Sequence, residues 1–260
     1  MKKTMIVANW KMHLNTQQAS LLVNQLDKQI KIHRDIEVVL APSLLTLQPI
    51  SLQIDRRKFR LAAQDAFAID EGAYTGAVSF TMLRELVHYS LIGHSERRIH
   101  FHESLETVRD KVSAAVRNEI MPILCVGETR HEHAMGEAKR VVHDQVVSAL
   151  LNLTPEEVEK VVIAYEPVWA IGTGTPEKPD SIATMIAWIR RTVSELYGQR
   201  IAGEIRLLYG ASVEPDFVKS IISVEGVDGL LVGGASLHPQ KFADIVNTAY
   251  AVTHGPEGNG

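Results

Sequence analysis

The chain is short of several features that would assign it to a class at once. It has a single cysteine among 260 residues, so a disulfide within the chain is impossible. That residue, Cys125, lies inside an apolar run, which predicts a buried and inert thiol. No stretch approaches the roughly 18 apolar residues that a membrane-spanning helix needs, and the apolar run after Met1 is too short for a signal peptide. We therefore expect a cytoplasmic protein with no membrane partner.

The sequence also has no large excess of charge of either sign. The 27 basic and 31 acidic residues give a formal net charge of -4, and the basic residues are scattered in pairs, so we expect no nucleic-acid partner. The histidines lack the spacing with thiol or acidic partners that metal sites show, and we expect no metal. The run from Gly172 to Glu177 lacks the third glycine of a dinucleotide fingerprint and has Pro176 where the helix should begin. We therefore expect no cofactor.

The chain does contain short apolar runs, with helical patterns after most of them. The expected strands are residues 5–8, 37–41, 60–64, 90–92, 121–126, 161–165, 205–209 and 229–232. Eight alternating units in about 250 residues favour an α/β protein with a closed parallel sheet, the (βα)8 barrel, over a doubly wound open sheet. The length and the 45% hydrophobic content predict one domain over residues 1–260, with a tail that frays after about Tyr250.

Three helix boundaries follow from local patterns. Residues 131–151 are expected to form one helix between the fifth and sixth strands. Thr154, Pro155 and Glu157 match an N-cap, a proline at the first helical position and a capping box. A short helix is expected to begin at Ser95, after the fourth strand.

Chemically unusual residues follow strands one, four, six, seven and eight. The C-terminal ends of these five strands can surround one cavity only if the sheet closes, because an open sheet would disperse them across its width. This geometry is a second argument for the barrel.

The run YEPVWAIGTG, residues 165–174, follows the sixth strand and is the most informative in the chain. Glu166 emerges at the strand end, and Pro167 stiffens the hinge that follows it. Gly172 and Gly174 permit backbone angles that a residue with a Cβ resists. The apolar residues between these hinges predict a lid that excludes water. The alternative is an ordinary turn whose tryptophan covers the core.

Polar groups also follow strands one and four. Asn9 and Lys11 place an amide and a cation at the mouth of the barrel, although a strand-end lysine can equally be a solvated surface charge. His94 precedes Ser95, whose helix would disfavour a positive charge on the imidazole, so we expect a neutral His94 that donates a hydrogen bond. The alternative is a structural histidine held by local hydrogen bonds.

Small-residue turns follow strands seven and eight, at residues 209–213 and 232–236. Each is an ordinary tight turn when taken alone. Both expose backbone N–H groups, and a helix that begins near Gly233 would direct its positive dipole end at an anion. Barrels commonly bind phosphate at these two loops. Together with the amide of Gly172, the turns predict a phosphate site that needs no arginine.

These motifs, taken together, resemble the triosephosphate isomerase family along essentially the whole chain. The motifs that carry the resemblance are residues 8–12, 92–98, 165–174, 209–213 and 231–236, in family order and near family spacing. The resemblance implies reversible interconversion of dihydroxyacetone phosphate and D-glyceraldehyde 3-phosphate through an enediolate, in glycolysis and gluconeogenesis. It also implies that the reaction needs no cofactor or metal.

The resemblance assigns roles to single residues. Glu166 matches the general base, while His94 and Lys11 match the groups that stabilise charge on the enediolate oxygens. Asn9 is similar to the family's substrate-contacting amide, and Glu96 resembles the carboxylate that supports Lys11 and His94. The positions whose backbone holds the phosphate match Gly172, Ser212, Gly233 and Gly234.

The family is usually a homodimer in which the long loop after the third strand enters the neighbouring subunit near the catalytic lysine and histidine. The segment from Gln64 to Ser79 resembles that loop. It departs from the family at Ala77, where a glutamate commonly pairs with the arginine that matches Arg98, and at Asp65, where asparagine is common. Two smaller departures are Ala211 and Leu230, which stand where glycine and alanine are frequent. Residues 175–179, after the lid, are shorter than usual and lack a customary lysine.

Two other functions fit parts of the sequence. A barrel that binds phosphate without catalysis would serve as a sensor or scaffold, but it would not need the set of Asn9, Lys11, His94 and Glu166. An isomerase for a larger phosphosugar is the second alternative, and the lid argues against a large substrate. None of the departures removes a catalytic group, so the sequence favours an active triose phosphate isomerase.

Overall fold

The computed structural model describes residues 2–31, 34–174 and 176–254. All eight expected strands are present, with ends that differ from expectation by at most one residue. The strands are β1 Thr4–Asn9, β2 Ile36–Ala41, β3 Phe59–Ala63, β4 Tyr89–Ile92, β5 Met121–Val126, β6 Val162–Tyr165, β7 Arg206–Tyr209 and β8 Gly229–Val232. Almost every strand residue is buried, because a parallel sheet is covered on both faces.

The sheet is a closed parallel barrel in the order β1 to β8, so the expected (βα)8 architecture is confirmed. Closure is made by β8 and β1, which pair from Met5 opposite Gly229 to Ala8 opposite Val232. A Cβ on Gly229 would lie 2.0 Å from the carbonyl oxygen of Met5, so glycine permits this close approach. Along β1, Met5 and Val7 pack inside the barrel with Cys125, whereas alternate residues pack outward against the helices.

Helices surround the barrel, and each of the longer ones buries part of its surface. Among the described residues they are α1 Thr16–Gln29, α2 Leu44–Gln53, α3 Phe80–Leu83, α4 Ser95–His100, α5 Leu105–Arg117, α6 Arg130–Ala134, α7 Ala138–Leu150, α8 Pro155–Val158, α9 Pro179–Glu204, α10 Val218–Ile222 and α11 Pro239–His254. The expected cap of α8 is confirmed, with Thr154 and Glu157 in a capping box and Pro155 in the first turn. The expected start of α4 at Ser95 is confirmed as well.

Two expectations about helices need correction. Residues 131–151 are not one helix, since α6 ends at Ala134 and α7 begins at Ala138. Gly136, with φ of +73°, supplies the left-handed backbone that separates them. The final helix also continues past Tyr250 to His254, because Ala249 is buried and Tyr250 packs against the core. Residues 255–260 of the expected tail lie outside the described residues, as does Thr175 after the lid.

No helix in the described part of the chain is both long and apolar enough to cross a membrane.

The segment between β3 and α3 contains no helix, as expected, and a backbone hydrogen bond joins residues near its two ends. The N–H of Phe67 donates to the carbonyl of Val78 at 2.8 Å, and the Phe67 ring packs against Tyr74 with centroids 4.6 Å apart. Cys125 is buried, as its apolar surroundings in the sequence predicted.

Candidate active site

A cavity of about 240 Å³ lies at the C-terminal end of the barrel strands. Eight of the nine residues singled out from the sequence line it: Asn9, Lys11, His94, Glu166, Gly172, Ser212, Gly233 and Gly234. The ninth, Glu96, lies just outside and lines a neighbouring groove with Lys11 and His94. The barrel therefore brings together residues that are up to 225 positions apart in the chain, since Asn9 and Gly234 both line this cavity.

Glu166 is the carboxylate at the end of β6. Its N–H donates to the carbonyl of Val126 at 2.8 Å, which continues the β5–β6 pairing by one residue. The side chain is buried, and its Oε1 lies 3.2 Å from Nε2 of His94. Its Oε2 is buried and has no hydrogen-bond partner among the described residues. A carboxylate oxygen kept from water and left without a donor is available to accept a proton.

Lys11 is held at the end of β1 in an unusual conformation. Its φ of +52° is left-handed, and its N–H donates to Oδ1 of Asn9 at 3.0 Å. Its carbonyl accepts a hydrogen bond of 2.9 Å from Nε2 of Gln64, and its Nζ donates to Oε1 of Glu96 at 2.6 Å. Burial opposes ionisation of Glu96, but the hydrogen bond from Lys11 and the nearby positive charges together outweigh it, so the pKa of Glu96 is lowered overall. The ammonium is thereby fixed at the edge of the cavity.

His94 is the N-cap of α4 and is buried beside Glu166. Its Nδ1 accepts a hydrogen bond of 3.3 Å from the N–H of Glu96, which requires an unprotonated Nδ1 and leaves the ring proton on Nε2. Burial lowers the pKa of His94, but the carboxylates of Glu166 and Glu96 raise it by more, so its net direction is upward. The geometry at Nδ1 favours the neutral ring and the nearby charge opposes it, so the neutral His94 stays a prediction.

The opposite wall of the cavity is built from small residues. Ser212 adopts φ of +46° and Gly172 adopts φ of +73°, and a short 3-10 turn, Gly234–Leu237, begins in the wall. No arginine lines the cavity in the described residues, and Lys11 is its one lysine. An anion at this wall would therefore meet backbone N–H groups, which suit phosphate oxygens.

The lid is anchored at both of its ends. On one side, Nε1 of Trp169 donates to Oε1 of Glu128 at 2.7 Å, and the N–H of Val168 donates to the carbonyl of Glu128 at 3.0 Å. On the other side, the N–H of Glu177 donates to the hydroxyl of Tyr209 at 3.0 Å. Both Gly172 and Gly174 have positive φ, as their place in the sequence predicted.

Glu128 and Tyr209 are lid anchors that the sequence motifs did not indicate. Glu128 is buried and accepts a further hydrogen bond of 3.2 Å from the hydroxyl of Tyr165. It lies two residues beyond the end of β5, so the rule that drew attention to residues after the other strands would have found it. Tyr209 ends β7 with an apolar ring, and no local signal marks its hydroxyl.

The departures from the family at Asp65 and Ala77 affect the partners of two charged side chains, Asp65 and Arg98, in different ways. Asp65 pairs with Arg97 at 2.9 Å and with Lys111 at 2.6 Å, so its charge is used within the subunit. Arg98 has no carboxylate within ion-pair distance in the described part of the chain. It donates instead to the carbonyls of Gly93, at 2.7 Å, and Cys125, at 3.2 Å.

Comparison with known proteins gives one consistent result. A family model described as triosephosphate isomerase matches residues 4–249. The triosephosphate isomerase of Clostridium tetani is 43% identical over 248 residues, which cover 95% of this chain and 97% of that protein. The enzyme of Caldanaerobacter subterraneus subsp. tengcongensis is 43% identical over 248 residues, covering 95% and 100%. That of Dictyoglomus turgidum is 39% identical over 249 residues, again covering 95% and 100%.

Proposed function

This chain belongs to the triosephosphate isomerase family, and from that membership we propose that its cavity interconverts dihydroxyacetone phosphate and D-glyceraldehyde 3-phosphate with Glu166 as the base. The chain is thus an aldose–ketose isomerase, an intramolecular oxidoreductase, and its role in glycolysis follows from the family. The roles of its individual residues are our proposal.

In the proposed mechanism, the carboxylate of Glu166 takes a proton from the carbon beside the carbonyl of the bound substrate. The electron pair of that C–H bond forms the C=C bond of an enediolate, and the carbonyl oxygen becomes an oxyanion. His94, through the N–H at Nε2, and Lys11, through its ammonium, stabilise this charge. Glu166 then returns the proton to the neighbouring carbon, after the enediolate oxygens have exchanged a proton with His94. Asn9 contacts the substrate from the end of β1.

One observation carries this proposal: Oε2 of Glu166 is buried without a hydrogen-bond partner among the described residues, and Glu166 lines the same cavity as His94 and Lys11. Binding phosphate alone needs no such group, and an unpartnered buried carboxylate oxygen costs free energy. A non-catalytic scaffold would gain nothing in return for that cost. The site therefore supports proton transfer at carbon over simple binding.

The wall formed by Gly172, Ser212, Gly233 and Gly234 supports a role in holding the phosphate. Among the described residues no arginine reaches the cavity, so the phosphate would be held by amides and by the dipoles of short turns. The lid over this wall also has a chemical purpose, because an enediolate phosphate exposed to water would eliminate its phosphate. The small cavity volume of about 240 Å³ suits a triose better than a larger sugar.

Glu166→Gln tests the role of the base, since it keeps the size of the side chain and removes its basicity. We expect the variant to fold normally, by circular dichroism, and to lose at least about 10² to 10⁴ in turnover of glyceraldehyde 3-phosphate. Inorganic phosphate should still bind. A folded variant with most of the parental activity would remove Glu166 from the mechanism, and turnover of longer sugar phosphates by the parent would revise the substrate.

We also propose a homodimer formed through the segment from Gln64 to Ser79. A groove of about 590 Å³ borders the site and is lined by Lys11 and His94 together with two exposed apolar residues, Met12 at 94% and Phe101 at 64% exposure. Such exposed apolar side chains beside catalytic groups suit a covered interface. The segment presents the exposed ring of Tyr74, and we propose that this ring enters the groove of a second copy.

Sedimentation velocity tests the dimer. The variant Met12→Lys with Phe101→Glu should sediment as a monomer and lose activity, because the groove beside Lys11 and His94 becomes uncovered. The control Leu151→Lys alters an exposed apolar residue elsewhere and should leave the dimer intact. A parent that is fully active as a monomer would overturn the proposal.

Two broader expectations remain proposals. A single closed barrel supports one domain over the described residues. The lone buried thiol of Cys125 suits the reducing cytoplasm, and fractionation of cells that express the chain tests that location.

A further inference from the structure

Gln145 is a buried amide on α7 that the proposed mechanism does not use. Its side chain is 8% exposed and spans from the helix to the end of β5. Oε1 accepts a hydrogen bond of 2.8 Å from the N–H of Gly127, and Nε2 donates one of 3.1 Å to the carbonyl of Gly127. One side chain therefore satisfies both polar groups of a single backbone residue and fixes the plane of that backbone.

Gly127 in turn lies against the backbone of Glu166. A Cβ on Gly127 would lie 1.8 Å from the carbonyl oxygen of Glu166, so the two backbones are in direct contact. The residues on either side of Gly127 hold the same segment. The carbonyl of Val126 accepts from the N–H of Glu166 at 2.8 Å, and the carbonyl of Glu128 accepts from the N–H of Val168 at 3.0 Å. Residues 126–128 thus support both the base and the first turn of the lid.

Val126 and Gly127 border open space on one side. A cavity of about 220 Å³ lies between α4 and the segment after β5, and Gln145, Gly127, Glu166 and Val168 all line it. Close packing on that side does not hold Val126 and Gly127 in place, because the cavity leaves room for them to shift. The two hydrogen bonds of Gln145 cross this region from the helix to the loop.

We propose that Gln145 is a positioning residue for the general base, which it holds in place through Gly127. The inference rests on the proposed function, in which Glu166 takes the proton from carbon. Without the amide, Val126 and Gly127 relax toward the cavity, and the backbone of Glu166 moves with them. A displacement of about 1 Å at a reacting group costs on the order of 10² in rate. The phosphate wall does not touch Gln145, so binding of substrate changes little.

The test compares Gln145→Met with the parent. Methionine has a similar length and shape but cannot make either hydrogen bond. We expect kcat to fall about tenfold to a hundredfold while KM changes by less than about threefold, because the proton-transfer step is affected more than binding. The primary deuterium isotope effect on kcat, measured with substrate deuterated at the carbon that loses its proton, should rise, since proton transfer becomes slower relative to product release.

Val146→Ala is the matched control, because Val146 is the next residue on α7 and is buried in the core. It should lower stability while keeping the parental kcat and isotope effect. If Gln145→Met does not fold, Gln145→Glu keeps the acceptor for the N–H of Gly127 and should show the same pattern. A loss of activity without a change in the isotope effect would indicate a merely structural role and overturn the proposal, as would parental kinetics in a folded variant.

Glu166→Gln, assayed alongside, separates the positioning role from the proposed function. An inactive Glu166→Gln with an unaffected Gln145→Met would overturn the positioning role and leave the proposed function standing. An active Glu166→Gln would overturn the proposed mechanism itself.

Discussion

Replacing Lys111 by methionine should destabilise the protein strongly, because it removes a buried cation from a balanced cluster. Lys111 lies on α5 and is only 4% exposed. Its Nζ lies 2.6 Å from Oδ1 of Asp65 and 2.5 Å from Oε1 of Glu103. Arg97 pairs with the same two carboxylates, at 2.9 Å and 2.5 Å. The cluster thus contains two cations and two anions.

The size of the expected loss of stability follows from the charges in this cluster. Methionine leaves two carboxylates with Arg97 as their remaining cation, so the cluster changes from neutral to one net negative charge. Breaking a buried ion pair by removing one partner costs about 3 to 5 kcal/mol, since the other charge stays buried without compensation. Arg97 and partial exposure of Asp65 place the expected loss near the lower end, about 3 kcal/mol of the free energy of unfolding at pH 7.

The loss should depend on pH in a definite direction. Burial raises the pKa of Glu103, but the hydrogen bonds and charges of Lys111 and Arg97 together outweigh it, so the net pKa is below the ordinary 4.5. A lowered pKa contributes stability above the ordinary value, and this contribution is lost as the pH falls through the lowered pKa. The parent therefore loses the contribution at acid pH, and the difference between parent and variant should shrink below about pH 4.5.

The other carboxylate shifts in the opposite direction. Burial raises the pKa of Asp65 in spite of Lys111, although both carboxylates contact the same ammonium. We assign the pH dependence to Glu103, because its side chain is 5% exposed, whereas that of Asp65 is 22% exposed.

Urea unfolding, followed by circular dichroism at one fixed protein concentration, measures the effect. Arg57→Met is the control, because it removes a partner from an exposed ion pair with Asp55 and should leave the midpoint unchanged. The double variant Lys111→Met with Glu103→Leu should recover part of the loss. The reasoning is refuted if Lys111→Met unfolds at the parental midpoint at pH 7, or if its deficit grows as the pH falls.

Three further predictions concern the site. Gly127→Ala should nearly abolish activity, because its Cβ would lie 1.8 Å from the carbonyl oxygen of Glu166, and steady-state kinetics checks it. Trp169→Phe removes the donor to Glu128, a hydrogen bond to a charged group worth about 1.5 to 3 kcal/mol, so amide exchange in residues 168–170 should speed up at least about tenfold, as mass spectrometry can measure. Burial, and secondarily Glu166, raises the pKa of Cys125, so a thiol reagent should label it only after unfolding in urea.

The sequence predicted the barrel because its strands have strong local signals. Apolar runs such as residues 121–126 are typical of buried strands, and eight of them at regular spacing fit few folds. The positions of Asn9, His94 and Glu166 follow from the same pattern, since each comes at or just after the end of a strand. Local sequence patterns were therefore sufficient to predict where these cavity-lining residues lie.

The residue pairs that hold the cavity wall from behind were not predictable from local sequence patterns. Gln145 and Gly127 are 18 residues apart, and Trp169 and Glu128 are 41 apart, so neither pair leaves a local pattern. The break at Gly136 was missed for another reason, because a single glycine is often tolerated inside a helix and its positive φ shows only in the folded chain. The carbonyl partners of Arg98 likewise depend on how two strands end.

The closing seam between β1 and β8 has a consequence for synthesis of the chain. Met5 pairs with Gly229, so the first strand leaves the ribosome long before its partner exists. At about 5 to 20 residues per second, the delay is on the order of 10 to 45 s. Throughout that time one edge of the nascent sheet is unpaired and open to strands of other chains, which makes it a target for chaperones. Asn9 and Lys11 must also wait for Gly233, so a ribosome-bound fragment that ends before β8 lacks Gly233 and Gly234 of the phosphate wall and should have no isomerase activity.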